Sequence, residues 1–153
     1  MQYPKDVVIV AGARTAHGKF KGSLFNTSAV DLGAIAIKET LKQAELDPEL
    51  IDEVIMGNVL SAGIGQHPAR QSAIKAGIPE EIPALTVNKM CGSSMKAIML
   101  AANAIRAGES EILIAGGMES MSQSPFTVPR AEDGKVSMET VSYTHLTLPT
   151  KNE

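Results

Sequence analysis

Cys91 is the single cysteine of the chain, and its setting is the most chemically suggestive in the sequence. Val87-Asn88-Lys89-Met90-Cys91-Gly92-Ser93-Ser94 leads from the end of an apolar stretch into a long helical pattern. A strand that ends, turns and opens a helix here places the thiol at the helix N-terminus. Amides at that end have no partner within the helix, and the helix dipole favours negative charge beside them. Both effects favour the thiolate, which is the nucleophilic form. The same amides are suited to hold the oxyanion formed when a thiolate attacks a thioester. Gly92 leaves room for a carbonyl to approach the backbone. On the residues alone, a structural cysteine acting as a small apolar side chain stays open as the alternative.

The other conspicuous residues carry weaker chemistry. His67 stands in a loop before Pro68, and His17 lies in another loop; neither has a partner at metal-ligand spacing, so a surface or interface role is expected and no metal site. Gly63 and Gly65 are not followed by the third glycine of a dinucleotide fingerprint, and no phosphate-cradling loop is present. Gly116-Gly117 reads as a tight turn after a strand. The net charge is −3, with no basic patch interleaved with aromatic residues, which argues against nucleic-acid binding. One cysteine cannot form an internal disulfide, which fits a reducing compartment. No secretory leader and no membrane-spanning run is read, so a cytoplasmic location and no membrane partner are expected.

The elements that must position Cys91 alternate between strands and helices. Val7-Val8-Ile9-Val10 reads as a buried strand ending at Ala11-Gly12, with a Gly- and Lys-rich loop to Thr27. Ser28 or Asp31 could cap the helix that follows, which keeps helical spacing to about Gln43. Val54-Ile55-Met56 forms a second strand ending at Gly57. Pro68 suits the first turn of a helix that stops at Gly77. Ala84 to Asn88 is a third strand. Gly92 to Ala107 is the strongest helix: Met95, Ile98, Met99, Ala102 and Ile105 recur at three and four residues, and alanines make another face small. It is expected to be buried on most sides. Gly108 sits where a C-terminal cap belongs, and Glu111 to Ala115 is a fourth strand. The pattern is that of an α/β domain with a largely parallel sheet. A content of 44% hydrophobic and 20% charged residues, in a chain of 153, suits one domain with a real core.

Four ordered stretches resemble the thiolase family. Val87, Asn88, Lys89, Cys91, Gly92 and Ser93 match its nucleophile signature; Ser94 departs from the glycine usual there, and its hydroxyl is expected to crowd the helix packed opposite. Val10 to Thr15 followed by Gly18 resembles the opening strand and loop. Gly57-Asn58-Val59-Leu60, Gly65-Gln66 and Pro68-Ala69-Arg70-Gln71 resemble the second strand, loop and helix, and Gly116 to Ser122 resembles the second signature. The resemblance covers residue 4 to about residue 130. It implies the N-terminal part of the thiolase fold: a mixed, largely parallel sheet with helices on both faces and a buried helix after the nucleophile. It also implies that Gln66 and Arg70 make subunit contacts, against a solvated helix face, and that Met118 to Ser122 supports the catalytic loop.

The activity implied is acyl transfer. Cys91 would take an acyl group from one acyl-CoA, and the carbanion of a second would attack it, condensing two acetyl-CoA to acetoacetyl-CoA; thiolysis is the reverse. CoA thioesters enter as substrates, with no resident cofactor, and a homodimer or homotetramer is implied for the full-length protein. The family's histidine and second cysteine lie in Gly-His-Pro and Cys-x-Gly segments, and these 153 residues contain neither. The expected organisation is therefore a truncated N-terminal thiolase domain over 1–140. Residues 141–153 form a non-native tail, since Val141 to Thr150 can be written with the codons of a transposase adapter used in sequencing libraries. A binding module that has lost catalysis and a decarboxylating condensing enzyme are the rival classes; the signature around Cys91 disfavours the first, and Gly117-Met118-Glu119-Ser120-Met121 the second.

Overall fold

The computed structural model describes residues 6–127. The tail expected from residue 141 lies outside them. Among the described residues three parallel strands form one sheet, β1 (Glu53–Gly57), β2 (Ala84–Val87) and β3 (Leu113–Gly117), in the order β2-β1-β3. Three α-helices accompany them: α1 (Ala29–Ala44), α2 (Pro68–Ala76) and α3 (Ser93–Ala107). Parallel neighbours need a crossover, and α2 and α3 supply the two.

The caps follow local chemistry. Ser28 Oγ accepts from the Asp31 amide at 3.1 Å and starts α1. Pro68 occupies the first turn of α2, and Gly77 and Gly108 end α2 and α3 in the left-handed conformation. β1 is the centre of the fold. Val54 and Met56 point into a cluster with Ile37 and Leu41 of α1, Ala69 and Ala73 of α2, and Met118. Ile55 points the opposite way, onto Ala97 and Ala101 of α3. Helices therefore cover both faces, and side chains such as Val54 and Ile37 that are removed from water contribute about 1.5–3 kcal/mol each.

One expectation needs correction. Val7 to Val10 belongs to no strand among the described residues, and Val8, Ile9 and Val10 are exposed. β-propensity describes a side chain that fits a pleated, half-buried surface, and no described strand lies alongside to provide one. Among the described residues α3 buries Ser93, Ala97 and Ala101 against the sheet and leaves Met95, Ile98 and Met99 exposed on its other side. A smaller difference concerns β3, which begins two residues later than expected. Asp52 Oδ2 takes the Glu111 and Ile112 amides at 2.6 and 2.9 Å, so the ladder with β1 starts after them. Among the described residues no helix is long and apolar enough to cross a membrane.

Candidate active site

The C-terminal ends of all three strands meet at one edge, with Gly57 paired to both Val87 and Gly117. Crevices at such edges are where open parallel sheets bind ligands. Cys91 lies four residues beyond the end of β2, on that edge, and is exposed.

The turn that carries Cys91 is built by short hydrogen bonds. The Gly92 and Ser93 amides donate to the Lys89 and Met90 carbonyls, each at 3.1 Å. Ser93 Oγ donates to Met90 O at 2.6 Å and accepts from the Lys89 amide at 2.9 Å. Asn88 Oδ1 accepts the Met90 amide at 3.1 Å. Met90 is thereby held at φ 51°, a left-handed conformation that is uncommon for a bulky side chain. Strain of this kind costs about 1–3 kcal/mol, persists only where surroundings over-determine it, and clusters at functional sites.

The helix terminus differs from the expectation in one chemical respect. Gly92 is the N-cap and Cys91 precedes it. Because the Gly92 and Ser93 amides close the turn, they are not available to an oxyanion; the amide of Cys91 itself lies outside those turn bonds.

The helix start is pressed onto the strand ends. A Cβ on Gly57 would stand 2.7 Å from Ser93 C, Ser93 Cβ and Ser94 N. A Cβ on Gly117 would stand 2.0 Å from Ser94 Oγ and 3.0 Å from Ser94 Cβ. Gly117 is therefore a strand residue, not a turn, and its missing side chain is the space that Ser94 occupies. The Ser94 hydroxyl, expected against a helix, lies against strand β3 instead, because the start of α3 is seated on the strand ends.

A second network ties the neighbouring loops together. The Glu119 carboxylate accepts from Asn58 Nδ2 at 3.0 Å, the Val59 amide at 2.9 Å and the Leu60 amide at 3.1 Å. Asn58 Nδ2 also donates to Met118 O at 3.1 Å. Asn58 is 2% exposed and its Oδ1 has no donor among the described residues. Asn88 Nδ2 reaches Val59 O at 3.3 Å, so this network touches the turn of Cys91. Its two halves are about sixty residues apart in sequence, and no local pattern announces the pairing.

The remaining candidates have structural work. His67 caps α2, its Nδ1 accepting the Arg70 amide at 3.2 Å. Arg70 donates to Ile82 O at 2.6 Å and to Glu80 O, pinning the connection before β2. Gln66 O accepts from Gln71 Nε2 at 2.7 Å. His17 pairs with Arg14 on the surface. Lys75 Nζ lies 2.6 Å from Asp31 Oδ1 and joins α2 to α1; with Ser28 it holds the Asp31 carboxyl below the usual range. A groove of about 570 Å³ beside α1, lined by Arg14, Ile35, Lys38 and Lys42 among others, does not include Cys91.

The family model for the thiolase N-terminal domain matches residues 7–152. The chain belongs to the thiolase family. It is 60% identical over 129 residues to an acetyl-CoA acetyltransferase of Cupriavidus necator, covering 84% of this chain and 33% of that protein. An acetyl-CoA acetyltransferase of Escherichia coli is 54% identical over 122 residues, 80% of this chain and 31% of its own length. The crystal structure of Acat5 thiolase from Ascaris suum in complex with coenzyme A superposes with a TM-score of 0.83 at 46% identity, covering 90% of this chain and 35% of that one. The chain thus spans about a third of the length of the thiolase relatives it matches.

Proposed function

We propose that this chain is the nucleophile-bearing part of an acetyl-CoA acetyltransferase, and that Cys91 is the acyl acceptor. Its thiolate attacks the thioester carbonyl of one acetyl-CoA, CoA leaves, and the acetyl group stays on sulfur. A second acetyl-CoA, deprotonated at its α-carbon, attacks the acyl-cysteine to give acetoacetyl-CoA and free the thiol. Relatives named acetyl-CoA acetyltransferase at 60% and 54% identity support this reading. The observation that carries it is the position of Cys91: exposed, at the edge where three strand ends meet, in a turn of five hydrogen bonds that holds Met90 left-handed.

The reaction needs a base for the thiol and a group to move the α-proton. The only cysteine here is already assigned, and no Gly-His-Pro segment is present. The 153 residues therefore supply the nucleophile and not the whole site, and residues 141–153 are read as a foreign tail. The single cysteine fits a reducing compartment such as the cytoplasm. The test has two parts. Reading the gene past the codon for Thr140 in intact genomic DNA gives the complete protein, which incubated with acetyl-CoA should carry one acetyl group on Cys91 by mass spectrometry. The 153-residue chain should show no thiolysis of acetoacetyl-CoA. An unmodified Cys91 in the complete, folded protein would refute the assignment.

A further inference from the structure

We propose that Glu119 is a positioning residue for Cys91, acting through Asn88; this rests on the reading of Cys91 as acyl acceptor. The path is continuous. Glu119 fixes the Val59 and Leu60 amides and the Asn58 side chain. Val59, so fixed, offers its carbonyl to Asn88 Nδ2. That contact decides which end of the Asn88 amide faces the turn, leaving Oδ1 to accept the Met90 amide. Met90 then adopts φ 51°, and the thiol and amide of Cys91 leave the turn with one fixed relation to each other. An attacking sulfur and an amide that must meet the resulting oxyanion need such a relation; simple alkylation of the sulfur does not.

Glu119 suits the task because its partners are all donors. Two carboxylate oxygens accept three N–H bonds. A glutamine would keep one acceptor oxygen and turn an NH₂ group toward an N–H, so E119Q should displace the Val59–Leu60 backbone and release Asn88. Asn58 Nδ2 is committed to both Met118 O and Glu119, which holds its side chain in one orientation.

The experiment measures two rates at Cys91, followed by peptide mass spectrometry, in the complete protein read from intact genomic DNA. One is acylation by phenyl thioacetate, in which the sulfur–carbonyl bond forms, an oxyanion develops and thiophenolate leaves. The other is alkylation by iodoacetamide, which displaces iodide without an oxyanion. The wild-type acylation-to-alkylation ratio should exceed that of N-acetylcysteine. In E119Q and in N88A it should fall by about tenfold, less than the 10²–10³-fold of deleting an oxyanion donor, while alkylation stays within about twofold. N88A leaves the buried network intact and covers the case in which E119Q does not fold. Because both residues act on one path, E119Q/N88A should be no worse than either alone. A wild-type ratio equal to that of N-acetylcysteine sinks the acyl-acceptor reading and this role with it. A raised wild-type ratio that both variants keep, or acylation and alkylation falling together, leaves the acceptor standing and removes Glu119 from its support.

Discussion

Replacing Gly57 or Gly117 by alanine tests how the helix that follows Cys91 is seated. At Gly57 the new methyl meets Ser93 C, Ser93 Cβ and Ser94 N, all at 2.7 Å. Non-bonded carbons rest at about 3.5–4.0 Å, so the shortfall is roughly 1 Å against atoms of which two are backbone. No rotamer relieves it. The N-terminus of α3 must back away from β1, loosening Ala97 and Ala101 against Ile55. Overpacking costs about 1–3 kcal/mol and occasionally more, and G57A belongs at or above 3. At Gly117 the obstacle is Ser94 Oγ at 2.0 Å and Ser94 Cβ at 3.0 Å, with Gly57 O next at 3.1 Å. The hydroxyl can swing aside, so G117A should cost about 1–2 kcal/mol. S94G removes both side-chain contacts, at up to about 1 kcal/mol for a glycine inside a helix. The double variant G117A/S94G should therefore show a coupling of about 1–2 kcal/mol in its favour, and G57A/S94G close to none. Urea denaturation resolves this, since at a slope of about 2 kcal/mol per molar a loss of 3 kcal/mol moves the midpoint by about 1.5 M. Equal rescue of both alanines by S94G, or none of G117A, would refute the seating described.

Two further outcomes follow from the same coordinates. Hydrogen bonds from the Ile112 amide and then the Glu111 amide hold the Asp52 carboxyl below its usual range, against a small opposing effect of burial. A carboxyl lowered on folding stabilises above its unfolded value, about 3.9, and the contribution is lost as pH falls through the folded value. D52N should lower the urea midpoint at neutral pH and flatten its fall in acid; an unchanged acid slope would deny Asp52 that role. On α3, Met95 is 69% exposed and Met99 51%, beside Ile98 at 45%. An apolar stripe of this kind favours association, so M95K/M99K should reduce self-association in sedimentation velocity at a stability cost within about 0.5 kcal/mol; association unaltered by the lysines would assign it elsewhere, with exposed Val8 to Val10 the next candidate.

How much of this was legible in the sequence depends on how far apart the partners lie. The boundaries of α1, α2 and α3 could be read because Ser28, Pro68, Gly77 and Gly108 act within one turn of themselves. The strand cores of β1 and β2 could be read because β1 is covered on both faces by helices the same pattern had announced. β3 slipped by two residues because Asp52, sixty positions away, takes its first amides. Gly116-Gly117 after an apolar run predicts a turn, because the sequence does not say that Ser94 will lie against Gly117. The apolar repeat of α3 was visible, but burial is a property of what packs outside a helix, and the sequence of one helix cannot name its neighbour.

The candidate site divides in the same way. Cys91 and the residues next to it carry chemistry in their types and order, so the role proposed for Cys91 could be argued from the sequence. Its aim could not. Met90 is left-handed because Asn88 holds its amide, Asn88 is turned that way because Val59 occupies its other end, and Val59 is fixed by Glu119. Each link is a single ordinary hydrogen bond worth about 0.5–1.5 kcal/mol net, or about 1.5–3 where the carboxylate takes part. None of them alone would resist thermal motion well enough to define a nucleophile's direction. In series, with three amide-type donors converging on one carboxylate, they leave the turn few alternatives. The strand-end glycines work on the same turn from below, since any side chain there would lift the first turn of α3 and carry Cys91 with it. The case for Cys91 is thus written locally around residue 91, while the orientation of its turn is written across residues 57–60 and 117–119, which is why that orientation becomes readable only once the sheet has brought those segments together.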